Sequence, residues 1–139
     1  MVLVLNFSGH ELTSGVREDA EALVGEAIDV RELSRQLNLD ALASDIAALV
    51  DSAGIPRQVW QEQQILVMVP NLGAAAAVLC AYLHGVTGSF PRLLWLTQEP
   101  ATGTYTVPVL LDLPAIRTQG RLARFQATDQ GGTDHATSR

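Results

Sequence analysis

The stretch "ILVMVPNLGAAAAVLCAYL", residues 65–83, is almost entirely apolar and decides which fold the rest of the chain can build. Its length is about what a helix needs to cross a bilayer. Pro70 and Asn71 interrupt it, however, and its first part is rich in β-branched residues whereas its second part is rich in alanine. These features predict a buried strand, a loop and a buried helix rather than a membrane span.

The segments on either side of this stretch continue the alternation of strands and helices. We predict strands at residues 2–6, 27–31, 65–69, 92–97 and 105–113, and helices at residues 14–24, 40–52, 72–84 and from Pro114 to about Phe125. This order is typical of an α/β sandwich with a mostly parallel five-stranded sheet, in which the last two strands form a hairpin. The helix at residues 72–84 is apolar almost all round, which predicts that a second subunit covers its outer face.

The chain of 139 residues is long enough for one domain with its own core. We assign residues 1–126 to this domain and expect residues 127–139, which have no apolar anchor, to form a disordered tail. Cys80 is the only cysteine, so no intramolecular disulfide can form, and the amino terminus lacks the basic segment of a secretory signal. Both features predict a cytoplasmic protein.

The charge of the chain argues against several classes of partner and cofactor. Its net charge is −6 and it has no lysine, so long DNA or RNA is a poor candidate ligand. A small phosphorylated ligand remains possible, because helix amino termini and main-chain N–H groups can hold it without a basic surface. The sequence has no glycine-rich dinucleotide motif and no lysine-containing phosphate loop, and its one Cys and three His are scattered, so we expect no cofactor and no metal.

Two polar loops follow predicted parallel strands, and their carboxyl ends should meet at one edge of the sheet. "NFSGH" follows the first strand and "PNLG" follows the third. Together they predict a neutral crevice, rich in hydrogen-bond donors, that suits bases, ribose hydroxyls and phosphate. The candidate ligand-binding residues are Asn6, Phe7, Ser8, Gly9 and His10 in the first loop, and Pro70, Asn71, Leu72 and Gly73 in the second.

Structural roles for these residues are the alternative. In that interpretation Asn6 only caps a strand, Ser8 only makes a turn and His10 is an exposed side chain without a role. We expect Trp60 and Trp95 to lie in the core or an interface rather than to stack on a ligand. No catalytic residue is assigned, but His10 would be the proton donor if the protein were a nuclease.

Three segments resemble a known family: "LVLNFSGHELT", "LVMVPNLGAAAAVLCAYLHGVTGSFPRLLWL" and "VLLDLPAIR". They are similar to the small stand-alone Csx-type CRISPR-associated proteins of type III systems, family number fifteen, over roughly residues 1–118. The resemblance implies a CARF-like, Rossmann-like three-layer fold that dimerises and binds cyclic oligoadenylate, the second messenger of these systems. It transfers the ligand-binding role to Asn6, Ser8 and His10, and to Asn71, Leu72 and Gly73.

Three functions follow as expectations. In the first, a homodimer or higher homo-oligomer binds cyclic oligoadenylate, with the tetra-adenylate as the expected ring, and sequesters it so that the antiviral response is damped. In the second, the protein is a metal-independent ring nuclease that uses in-line attack by a ribose 2′-hydroxyl and leaves 2′,3′-cyclic phosphate ends. In the third, it is an interaction domain without a small ligand. We favour the first because neither loop contains a Lys or Arg to stabilise charge on phosphorus.

Overall fold

The computed structural model describes the main chain of residues 1–137 and the side chains of residues 1–126. The strands are β1 (Val2–Asn6), β2 (Ile28–Glu32), β3 (Ile65–Met68), β4 (Arg92–Gln98) and β5 (Tyr105–Asp112). The α-helices are α1 (Ser14–Val24), α2 (Leu42–Ser52), α3 (Arg57–Glu62), α4 (Gly73–Thr87) and α5 (Leu113–Thr137), and a short 3₁₀ turn at Leu39–Ala41 precedes α2.

The sheet has five strands in the order β2-β1-β3-β4-β5. The first four are parallel, and β5 pairs antiparallel with β4 at one edge. The predicted α/β class with a mostly parallel five-stranded sheet is therefore confirmed. The fifth strand ends at Asp112, one residue earlier than predicted, because the Asp112 carboxylate accepts a hydrogen bond from the Ala115 N–H at 3.1 Å and so caps the start of α5.

Helices cover both faces of the sheet, and every residue of β1 is buried. On one face Leu3 and Leu5 of β1 pack with residues of α2 and α4. On the other face Val2 and Val4 pack with residues of α1. Successive strand side chains point to opposite faces, so an uninterrupted apolar strand needs both covers. β1 is thus an interior strand covered on both faces, and the loop that follows it starts from the buried core.

The apolar stretch at residues 65–83 folds as β3, a loop and the larger part of α4. Within residues 1–137, no helix combines the length and the hydropathy of a bilayer span. The inner face of α4 packs on the sheet through Ala75, Leu79 and Leu83. Its outer face exposes only small residues: Ala74, Ala77, Ala81 and Gly85. The predicted cover by a second subunit stays a prediction for this face.

Helix α5 is longer than predicted, because its main chain continues beyond Phe125 to Thr137. No proline follows Pro114, so each later residue of the helix keeps its main-chain N–H donor. Residues 138 and 139, and the side chains of residues 127–137, lie outside the described part of the chain. The division into a domain at residues 1–126 and a disordered tail stays a prediction.

Candidate functional site

The loop after β1 and the loop after β3 meet at the carboxyl edge of the sheet, where they were expected. Asn71 joins them: its Nδ2 donates to the Ser8 carbonyl at 3.2 Å and lies 3.3 Å from Nε2 of His10. Because the Ser8 carbonyl can only accept, these contacts orient the Asn71 amide and make Nε2 an acceptor.

Asn6 lies beneath the first loop with none of its surface exposed. Its Nδ2 donates to the His10 carbonyl at 2.6 Å and to Oε2 of Glu32 at 2.8 Å. Its Oδ1 accepts from the Ser8 N–H at 2.9 Å and from the Ser8 hydroxyl at 2.6 Å. The amide therefore uses its hydrogen-bonding capacity within the protein and shapes the loop, rather than pointing into open space.

The loop turns sharply at Gly9, which has a φ of +79°. A side chain there would meet nothing closer than Ser34 Oγ at 3.9 Å, so the dihedral angle, not a lack of space, favours glycine. The turn also lets the His10 N–H donate to Ser8 Oγ at 3.0 Å. Local hydrogen bonds thus hold the "NFSGH" segment in one shape. Asn6 contributes from beneath the loop and Asn71 contributes from the neighbouring loop.

A cavity of about 450 Å³ opens on the β4 side of the two loops, within the usual size range of small-ligand sites. Ser8, His10, Pro70 and Asn71 contribute loop residues to its wall. The remainder comes from the end of β3, from the middle of β4 and from Tyr105 at the start of β5. The rings of His10 and Tyr105 are stacked, with centroids 5.9 Å apart and planes inclined by 27°. We call this space the β4-side cavity.

A second cavity of about 480 Å³ lies on the other side of the loops, next to α2. Phe7, Gly9 and Leu72 line it, together with the segment that contains Arg35. The Arg35 guanidinium is held by two hydrogen bonds of 2.7 and 2.8 Å to the Asp45 carboxylate, which lower the pKa of Asp45 to about 2. This cation is therefore already neutralised by a protein partner.

Most of the predicted residues line one or both cavities, whereas Asn6 and Gly73 line neither. Ser8, Pro70 and Asn71 line both, and His10 lines only the β4-side cavity. Gly73 is the first residue of α4, whose amino-terminal N–H groups receive no side-chain cap from Leu72. Those N–H groups can donate hydrogen bonds to an anion. Within the described residues, however, neither cavity wall includes Gly73.

Sequence reasoning missed the aromatic contribution of the last two strands. Trp95, expected in the core or an interface, is 53% exposed and lines the β4-side cavity, and Tyr105 is 52% exposed beside it. Leu94 and Leu96 on either side of Trp95 are buried, so the tryptophan points to the opposite face of β4. The sequence offered no such signal, because Leu93, Leu94, Trp95 and Leu96 form an uninterrupted apolar run.

The chemistry of the β4-side cavity is neutral. Among its described lining residues none is Lys, Arg, Asp or Glu. Within the described residues there is also no cluster of three or more His, Cys, Asp or Glu side chains that could hold a metal ion. The arrangement suits a ligand that offers hydrogen-bonding edges and flat rings.

The fold and this cavity define an α/β protein with a ligand-sized crevice at the carboxyl edge of its sheet. Comparisons with protein-family models, with curated proteins and with solved structures found no match to this chain.

Proposed function

We propose that this protein is a cytoplasmic binding module that captures a cyclic oligoadenylate, with cyclic tetra-adenylate as the expected ring, and so damps type III CRISPR signalling. The observation that carries the proposal is the junction made by Asn71, which joins "NFSGH" to "PNLG" beside the β4-side cavity. These two segments carry the residues to which the resemblance to the Csx-type family transfers the ligand-binding role. The proposal includes the finer CARF-like architecture, a three-layer sandwich whose last two strands form a hairpin.

A cyclic oligonucleotide is larger than one cavity of about 450 Å³. The proposal therefore includes a homodimer, in which two copies of the site face one symmetric ring across a twofold axis. The small residues on the outer face of α4 support close approach of a second helix, because they let two main chains come near each other. The exposed residues of this face carry no charge, which is consistent with an interface between identical chains.

The charge distribution favours binding over cleavage. In-line attack on phosphorus builds up negative charge that a nuclease stabilises with cations or with aimed N–H donors. The described lining of the β4-side cavity has no Arg or Lys, and the nearby Arg35 is paired with Asp45. His10 is a weak candidate for a general acid in its present position, since its Nε2 lies 3.3 Å from the Asn71 amide and is engaged there.

A ring nuclease is the second candidate, and the exposed imidazole of His10 beside the cavity is the observation that favours it. A modest rate of cleavage would need only a ring bent so that one 2′-hydroxyl lies in line with its phosphorus. Protonation of His10 at the expense of the Asn71 contact would then supply an acid for the leaving 5′-oxygen.

Incubation of the pure protein with labelled cyclic tri-, tetra- and hexa-adenylate tests the proposal and separates the two candidates. Binding is scored by mobility shift, and product is scored separately by chromatography. We expect the tetra-adenylate to be shifted and recovered intact after long incubation with excess protein. A linear product with a 2′,3′-cyclic phosphate end, made by wild type and by the matched control His84→Ala but lost in His10→Ala, would establish the nuclease. Absence of a shift with every ring would leave an interaction domain without a small ligand.

A further inference from the structure

The main-chain edge of β4 faces the β4-side cavity, and Pro108 shows which of its groups point there. Leu96 pairs with Pro108 in the antiparallel β4–β5 ladder. Proline has no N–H, so this must be a pair that exchanges no hydrogen bonds, and the N–H and C=O of Leu96 point away from β5. Directions alternate along a strand, so the N–H and C=O of Leu94 point the same way, toward β3.

Strand β3 is too short to satisfy these groups. The register between β3 and β4 ends at Val67 and Leu93, whereas β4 continues to Gln98. Beyond that point the Met68 carbonyl accepts from the Phe7 N–H at 2.8 Å, on the β1 side, and the chain turns away at Pro70. Within the described residues, the C=O of Leu94 and the N–H of Leu96 therefore have no partner in β3 or in the adjoining loop.

Both residues line the β4-side cavity, so the two unpartnered groups are placed where a ligand can reach them. Main-chain polar groups in such a sheltered position are normally paired, and leaving them unpaired is costly. The Leu94 C=O is an acceptor and the Leu96 N–H is a donor. They lie on either side of Trp95 in the sequence and point to the same side of the extended strand. The ring stack of His10 and Tyr105 and the side chain of Trp95 border the same space with aromatic surface.

We propose that this edge reads the Watson–Crick edge of an adenine base. The Leu94 carbonyl accepts from the N6 amino group, and the Leu96 N–H donates to N1. The inference rests on the proposed function and adds the source of its base specificity. Hypoxanthine presents the reverse pattern, a carbonyl oxygen at position 6 and an N–H at position 1, so each group of the strand would meet a group of its own kind. The site would thus reject a deaminated ring of the same size and charge.

Calorimetric titration of the full-length protein with cyclic tetra-adenylate and cyclic tetra-inosinate tests this inference. We expect the adenylate ring to bind at least about 10-fold more tightly, because a mismatched pair leaves buried polar groups without partners. In ¹⁵N-labelled protein, the Leu96 amide proton should move downfield with the adenylate ring, whereas the Trp95 amide, which faces β5, should move much less. Equal affinity for the two rings, with an unmoved Leu96 amide, would overturn the inference and leave the proposed function intact. Failure of both rings to bind would refute the proposed function as well.

Two substitutions sharpen the test. Leu96→Pro removes the N–H that faces the cavity but no hydrogen bond of the β4–β5 ladder, and Leu96→Ala keeps the N–H while removing a similar amount of buried side chain. We expect Leu96→Pro to lose the preference for adenylate over inosinate and Leu96→Ala to keep it. Retention of the preference in a folded Leu96→Pro protein would contradict the assignment. If that variant does not fold, the two-ring comparison and the Leu96 amide shift on wild type still decide it.

Discussion

Truncation of Asn6 should destabilise the protein more than its small size suggests. The side chain is fully buried and makes four hydrogen bonds, two with Ser8 and one each with His10 and Glu32. In Asn6→Ala these four hydrogen bonds are lost. Ser8, His10 and Glu32 are partly exposed, so water can replace some of the hydrogen bonds that they lose. With about 0.5–1.5 kcal/mol net for each hydrogen bond, we expect a total loss of about 2–3 kcal/mol rather than the full sum.

Urea unfolding followed by circular dichroism measures this loss. For a slope of about 1–3 kcal/mol per molar urea, the midpoint should fall by roughly 0.7–3 M. Asn38→Ala is the matched control, since Asn38 also accepts a local main-chain hydrogen bond, from Asp40 at 3.1 Å, but on an exposed turn. If Asn6→Ala lowers the midpoint no further than Asn38→Ala does, the hydrogen bonds of Asn6 contribute less to stability than we expect.

Asn6→Asp gives the same prediction a pH dependence. The new carboxylate keeps one oxygen for Ser8, but its other oxygen replaces the Nδ2 that donates to Glu32 at 2.8 Å and to the His10 carbonyl at 2.6 Å. Two carboxylates in contact raise the folded-state pKa of one of them above its unfolded value, so stability is lost as pH rises through that folded pKa. We expect Asn6→Asp to be less stable than Asn6→Ala at pH 7 and to recover below about pH 4, near the unfolded pKa values of carboxyl groups. A stability difference that does not change with pH would refute the contact with Glu32.

Four further predictions concern the site, the assembly and the surface. Asn71→Ala should weaken binding of cyclic tetra-adenylate by about 1–3 kcal/mol, roughly 5- to 150-fold, because the tie to Ser8 and His10 is lost; unchanged affinity in calorimetry would mean that the ring binds elsewhere. His10→Ala should raise the dissociation constant, and both wild type and the variant should leave the ring intact. Cleavage of the ring by wild type that is lost in His10→Ala would contradict this. Light scattering should give a homodimer, and a stable monomer at micromolar concentration with and without ligand would count decisively against it. The Asp45 carboxyl should stay ionised as the pH falls from 7 to 3 and titrate near 2, because the hydrogen bond from Arg35 lowers its pKa from 3.8. The stability that the pair contributes is therefore present above pH 3.8 and lost toward pH 2, and a carboxyl ¹³C titration with a midpoint near 3.8 would disprove it.

Local sequence pattern was sufficient for the five strands, for the positions of α1, α2 and α4, and for the meeting of the two loops. The bounds of β1 and α1 agree with the pattern because each element carries its own signals: an apolar run that ends at Asn6, and a helix capped by Thr13 and stopped by Gly25 in a left-handed conformation. The convergence of the two loops followed from parallel strands alone.

The detailed roles in the site depend on contacts between distant segments, which no local pattern contains. Glu32 reaches Asn6 across 26 residues and Asn71 reaches Ser8 across 63. Tyr105 arrives beside His10 only because β5 folds back on β4. The open edge at Leu94 and Leu96 results from a difference in length between β3 and β4 that hydropathy did not resolve.

The buried position of Asn6 links stability to the proposed sequestering role. A module that must hold its ligand, rather than pass through a transition state, gains most when its binding loop is already in the bound shape, because ordering a loop on binding reduces affinity. Asn6 makes this shape part of the folded core: it attaches Ser8 and the His10 carbonyl to the end of a fully buried strand. Substitutions at Asn6 should therefore weaken ligand binding through the loop, whereas Asn71 acts at the cavity wall itself. A comparison of ligand binding by Asn6 and Asn71 variants therefore distinguishes the effect of loop preorganisation from the effect of direct contact.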